Sequence, residues 1–260
     1  MWCDEVGPSG AKTILFLHGA GISGWMWQRQ VTDLSPHYHC LIPDLPGHGK
    51  SNRLLWRNID DVVRDVQRLI AQRAHGGRAH LVGLSLGGHV ALRLASSCPE
   101  CVDHAVVSGF NVLPFPHRHW LRLRWYLLVP FSRLESVRRS TAKQLHIPPE
   151  AYAGYAEAAR QTSWQAMLRI GNEILDRGMS ALPQGVMCPT LLVAGEREHP
   201  LVLQSMPLVA RAIPGAQACR VPGVGHGWNG EAPGLFSRMV SAWIEDRALP
   251  AGLEPVPVRP

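Results

Sequence analysis

Residues 79–92 read Ala79-His80-Leu81-Val82-Gly83-Leu84-Ser85-Leu86-Gly87-Gly88-His89-Val90-Ala91-Leu92. Ala79 to Val82 reads as a buried strand, and the run from about Gly88 reads as a helix. Gly83-Leu84-Ser85-Leu86-Gly87 therefore spans a sharp strand-to-helix turn. Such a turn forces its middle residue into a strained backbone, while the flanking glycines let the two elements approach closely. The serine hydroxyl is presented above the sheet. Gly-x-Ser-x-Gly alone is a weak pattern. With a strand before it and a helix after it, it makes Ser85 a candidate nucleophile.

A serine needs a base to take its proton, and the base needs a partner to hold its tautomer. Thirteen histidines are present. His226 stands out because Val221-Pro222-Gly223-Val224-Gly225-His226-Gly227 is a glycine-rich loop between an apolar run and a helical pattern starting near Pro233. His199 is its rival. The acid is expected at the end of another strand, between serine and histidine in the chain. Pro189 to Gly195 is such a strand, and Glu196-Arg197-Glu198-His199 follows it. Glu196 and Glu198 are both candidates on this ground.

Four blocks together carry a resemblance to a known family. They are Leu15-Phe16-Leu17-His18-Gly19-Ala20-Gly21, Asp44-Leu45-Pro46-Gly47-His48-Gly49-Lys50-Ser51, the serine turn, and the Gly-Val-Gly-His loop. In order and spacing the chain resembles the α/β-hydrolase superfamily, in its cap-bearing, esterase-like branch. The resemblance implies an α/β fold with a mostly parallel sheet flanked by helices and an inserted helical cap. It implies a triad of Ser85, His226 and Glu198, where the family usually carries Asp at the third position. A Glu carboxylate orients an imidazole equally well, from one methylene further back. It also implies an oxyanion hole made by the backbone N–H groups of Ala20 and Leu86, and a structural role for His18. Haloalkane dehalogenases and epoxide hydrolases of this fold carry a carboxylate where Ser85 stands.

Composition agrees with a globular protein. At 260 residues and 46% hydrophobic content, one α/β domain with an insertion is expected. Strand patterns at Thr13 to Leu17, Tyr38 to Ile42 and Val102 to Val107 alternate with helical ones, and Trp2 to Val6 is a candidate further strand. Ile59 to Ala74 places Val62, Val63, Val66, Leu69 and Ile70 on one helical face. The predicted organisation is a core of residues 1–110 and 181–248, a helical cap of 111–180, and a disordered proline-rich tail of 249–260. The acidic N-terminus and short first apolar run do not read as a signal peptide or a membrane span, so the cytoplasm is the expected location. Six scattered cysteines fit a reducing compartment, and Cys98-Pro99-Glu100-Cys101 reads as a turn rather than a redox site. Gly49-Lys50-Ser51 ends like a phosphate loop, but Asp44 stands where that loop needs glycine.

Residues 111–180 carry ten Lys/Arg and five Asp/Glu, which is +5 of the net +6. The stretch from His117 to Val129 mixes cations with large apolar side chains. A lid helix with a solvated basic face is the first reading. Attraction of anionic substrates and transient contact with a lipid interface are the other two. Twenty-three of the 26 cations are Arg, a bias that composition explains without nucleic acid as a partner. The expected activity is hydrolysis of small to medium carboxylic esters with no metal or organic cofactor. Trp120, Trp125, Phe131, Trp164 and Met167 are the candidate substrate-pocket residues. Carbon–carbon bond hydrolysis, lactonase or lyase chemistry would use the same triad, and a non-hydrolytic receptor or cyclase is a further alternative. A monomer and a dimer are equally compatible with the sequence.

Overall fold

Alternation along the strands divides the interior into two cores. The computed structural model describes residues 1–145, 147–177 and 183–257. Its strands are β1 (Cys3–Val6), β2 (Thr13–Leu17), β3 (His39–Pro43), β4 (Ala79–Leu84), β5 (Val102–Ser108), β6 (Thr190–Gly195), β7 (Gln217–Val221) and β8 (Glu254–Pro255). They form one sheet in the order β1-β3-β2-β4-β5-β6-β7-β8. The six inner strands run parallel, and β1 and β8 are antiparallel edges. The strand order reverses beside β2, which opens a crevice at the carboxyl ends.

The helices are α1 (Gln28–Leu34), α2 (Ile59–Arg73), α3 (Leu86–Ser97), α4 (Arg118–Leu128), α5 (Glu135–Gln144), α6 (Tyr152–Arg160), α7 (Trp164–Arg177), α8 (Pro200–Ala212), α9 (Trp228–Glu231) and α10 (Pro233–Ile244). In β2, Leu15 and Leu17 join a core with α2, α3 and α8, while Ile14 and Phe16 join a second core with α1 and α10. Successive strand side chains point to opposite faces, so a strand that is apolar throughout is covered on both. Helix α2 shows why its residues fold locally. The Asn58 side chain caps it by accepting the Asp61 N–H at 2.9 Å, and Asp60 and Asp61 sit at its positive end. Its buried face is Ile59, Val62, Val63, Val66, Leu69 and Ile70.

Helices α4 to α7 interrupt the alternation, as the sequence predicts. Helix α7 and the residue before it fasten them to the sheet domain by hydrogen bonds. Glu173 accepts from the Ile59 N–H at 2.9 Å and from Trp56 Nε1 at 3.2 Å, and the Ser163 N–H donates to Gly47 O at 2.8 Å. The expected junction at residues 180–181 lies outside the described residues. Helix α8 is absent from the sequence expectations, because Pro200 and the internal Pro207 mask its periodicity.

The tail expected to be disordered from residue 249 is corrected over residues 249–257. There β8 pairs with β7, and the Val256 N–H donates to Ala218 O at 2.8 Å. Leu249 and Leu253 pack against the α1–α10 core. Proline is tolerated because an edge strand bonds on one side only. Residues 258–260 lie outside the described residues.

Candidate active site

Ser85 sits between β4 and α3 with φ 56° and ψ −114°, a region that non-glycine residues rarely occupy. Such strain costs about 1–3 kcal/mol and persists only where surroundings impose it. Here the Ser85 N–H donates to Ser108 O at 2.8 Å, and the Ser85 carbonyl accepts from the His89 N–H at 3.1 Å. A Cβ on Gly83 would lie 2.3 Å from Gly87 O, and one on Gly87 would lie 1.9 Å from Leu17 O. Both glycines are therefore required for the helix to start this close to the sheet.

Glu198 follows β6 and His226 follows β7, each at a strand's carboxyl end. A Cβ on Gly195 would lie 2.4 Å from Val224 O, so glycine there lets the two loops meet. Glu198 is buried, and its Oε2 is 2.7 Å from His226 Nδ1. Its Oε1 accepts the His199 N–H at 2.9 Å. Burial works to raise the Glu198 carboxyl, but the hydrogen bond and charge of His226 and the His199 amide outweigh it, so it sits below the ordinary carboxylate range. An ionised carboxylate only accepts, so Nδ1 carries the imidazole proton and Nε2 is left as a base. Trp228 Nε1 donates to Ser108 Oγ at 2.9 Å and fixes the histidine loop behind this pair.

The rival residues are placed elsewhere. Glu196 Oε2 accepts the Gly223 N–H at 2.9 Å and does not touch His226. His199 caps α8, its Nδ1 accepting the Leu201 N–H at 3.2 Å.

Two buried histidines brace the loop after β2. Burial lowers His18 to about 4, so it is neutral. Its Nδ1–H donates to Gly19 O at 2.8 Å and its Nε2 accepts the Leu45 N–H at 2.9 Å. Burial, and then the neighbouring His18, lower His48 to about 3. His48 Nδ1–H donates to Pro46 O at 3.1 Å, and Nε2 accepts the Gly21 N–H at 3.2 Å. Gly19 and Gly21 are thus both tied down, and the Ala20 N–H between them has no partner among the described residues. Leu86 is the first residue of α3, so its N–H has no intrahelical acceptor. Two unbonded amides therefore flank Ser85. Asp44 secures the neighbouring loop by accepting the Gly24 and Lys50 N–H groups, each at 2.8 Å.

Ser85, His226 and Ala20 border one cavity of about 1260 Å³ beneath α4 to α7. Among the described residues the Ser85 hydroxyl has no hydrogen-bond partner, so its oxygen faces the cavity uncommitted. Of the expected pocket residues, Trp125 and Met167 line this cavity. Trp125 lies over Gly171, where a Cβ would fall 2.1 Å from its Nε1, and that nitrogen donates to Met167 O at 2.9 Å. Trp120, Phe131 and Trp164 do not line it. They are 63, 55 and 41% exposed, a correction that follows from the outward side of each helix turning to solvent. Trp25 and Tyr155 line the cavity and were not expected. His48 and Gly109 were also missed. The Gly-His-Gly run and the glycine closing β5 were the available signals.

The sequence pattern of the alpha/beta hydrolase family matches residues 14–239. The chain belongs to this family. An alpha/beta hydrolase superfamily protein of Gibberella zeae is 34% identical over 257 residues, covering 95% of this chain and 85% of that protein. The magnesium-chelatase 30 kDa subunit of Rhodobacter capsulatus is 27% identical over 268 residues, covering 94% and 90%. Among solved structures, an enol-lactonase from Burkholderia xenovorans superposes with a TM-score of 0.81 at 20% identity, covering 94% and 96%. A thermophilic esterase from Thermogutta terrifontis superposes at 0.80 with 21% identity, covering 94% and 93%. At those identities the two structures share the alpha/beta hydrolase fold with this chain.

Proposed function

We propose that this hydrolase cleaves carboxylic esters through an acyl-enzyme. The observation that carries the reading is the 2.7 Å contact between His226 Nδ1 and Glu198 Oε2, set on the same cavity as the strained Ser85. Ser85 Oγ attacks the ester carbonyl while His226 Nε2 takes its proton. The amides of Leu86 and Ala20 hold the oxyanion, typically worth a few kcal/mol per donor because they are aimed before reaction. The intermediate expels the alcohol, which leaves with the proton from Nε2. Water then enters, loses a proton to the same nitrogen, and frees the acid. The hydroxyl–imidazole bond forms in the substrate complex, as such bonds tighten there.

Helices α4 to α7 act as the cap. The cavity is larger than the roughly 300–1,000 Å³ of most small-ligand sites. Trp25, Trp125, Tyr155 and Met167 on its wall support a medium-sized acyl or aryl ester as substrate. Six unpaired cysteines, five of them buried, support work in the reducing cytoplasm.

Turnover of p-nitrophenyl acetate and butyrate by the wild type and by Ser85→Ala tests the reading. Serine-dependent hydrolysis with an acyl adduct on Ser85 is expected. Equal turnover by Ser85→Ala overturns it. Inertness toward esters combined with cleavage of a vinylogous diketone would assign the site to carbon–carbon hydrolysis instead.

A further inference from the structure

Helix α4 has two apolar stripes, and only one of them is used. Leu121, Trp125 and Val129, at i, i+4 and i+8, are half-buried or buried against the rest of the molecule. Trp120, Leu123 and Leu127, at i, i+3 and i+7, face the other way and are 63, 48 and 60% exposed. Phe131 and Leu134, just beyond the helix, extend the exposed stripe at 55 and 52%. Six of the thirteen large apolar side chains exposed among the described residues fall between 120 and 134 without lining the cavity, so this is one patch rather than scatter.

Cations accompany the patch. Arg118 and Arg133 are exposed, and neither has a carboxylate partner among the described residues. By contrast, Arg138 and Arg139 on α5 are both engaged by Glu135. An apolar stripe with unneutralised arginines beside it matches a surface that offers acyl chains below and anionic groups above. A second copy of this chain fits poorly, because two-fold pairing of the face with itself would bring the same arginines together. Among the described residues no helix is long and apolar enough to cross a membrane, so the contact is with the surface.

We infer that the outer face of α4 docks this protein on an anionic lipid surface. The inner side of the same helix places Arg124, Trp125, Leu128 and Val129 on the cavity wall. Docking therefore brings the helix that walls the cavity onto the lipid surface. Binding of lipid by this face does not depend on Ser85 being a nucleophile.

Cosedimentation of the full chain with vesicles tests it. One set is phosphatidylcholine alone, and the other is mixed with phosphatidylglycerol at about two to one. Binding to the anionic vesicles should be at least about tenfold tighter and should weaken as salt is raised. The double variant Trp120→Ser/Leu127→Ser should lose about tenfold of that binding, and Arg118→Glu/Arg133→Glu a similar factor. None of these four residues borders the cavity, so turnover of a water-soluble ester and thermal stability serve as controls for folding. Equal binding to both vesicle types overturns the inference, as does no binding to either. Binding that Trp120→Ser/Leu127→Ser leaves intact overturns it too. A dimer in sedimentation equilibrium that Leu127→Ser dissociates would assign the face to self-association.

Discussion

Gly109 closes β5 directly under His226, and a Cβ there would lie 2.9 Å from the imidazole Cε1 and 3.2 Å from Glu198 Oε2. Its φ of 63° is also one that a side chain disfavours. Gly109→Ala should therefore push the imidazole away from Ser85 and strain the loop. We expect kcat on a p-nitrophenyl ester to fall about 10²-fold, since displacements of about 1 Å have that effect. A variant with wild-type kcat would show that the base is not held against this glycine.

Glu198→Gln keeps the shape of the side chain but no longer favours the Nδ1–H tautomer. A loss of about 10³–10⁴ in kcat is expected, with a circular dichroism spectrum like that of the wild type. Glu196→Gln removes only a charge at an exposed position and keeps an oxygen that can accept the Gly223 N–H. Its kcat should stay within about threefold of wild type. A reversal of the two outcomes would place the acid at Glu196.

His48 acts at one remove. Its Nε2 holds the Gly21 N–H, and so positions the neighbouring Ala20 amide. His48→Ala should lower kcat about 10- to 100-fold with KM little changed, because an oxyanion contact is made only in the transition state. It should also lower stability by about 1–3 kcal/mol through unpaired buried groups. His48→Gln retains an acceptor and should recover part of the rate. A KM effect alone would assign His48 to substrate binding.

Four buried imidazoles give stability a defined pH dependence. His18, His80 and His89 are lowered to about 4 and His48 to about 3, each by burial first, from an ordinary value of 6.5. Between those values the unfolded chain binds protons that the folded chain refuses. Stability is therefore complete above the unfolded value and declines as pH falls from about 6.5 toward 4, by up to about 1.4 kcal/mol per pH unit for each histidine. Glu198, held below its ordinary 4.5, adds a further loss as pH drops through its lowered folded value. Urea midpoints at about pH 7 and pH 5 should differ accordingly, and His89→Leu should flatten the slope by about a quarter. A midpoint independent of pH over that interval would mean that these rings are charged or hydrated in the folded protein.

The fold was legible because its signals are local. The strand-turn-glycine sequence around Ser85, the period of α2 and the helical character of the segment that carries α4 to α7 all arise from residues adjacent in the chain. Hydrophobic period and glycine placement fix these before any distant contact forms. Ser85 and His226 stood out for the same reason. What the chain alone left open was settled by contacts across long separations. Glu196 and Glu198 are two residues apart and chemically alike, and only the approach of the β6 and β7 loops over Gly195 puts one of them against the imidazole. Periodicity likewise marked α4 as amphipathic without saying which stripe faces inward. Trp125 turned to the cavity and Trp120 to solvent because Gly171 on α7 offers room for one indole, and nothing in the described structure covers the other.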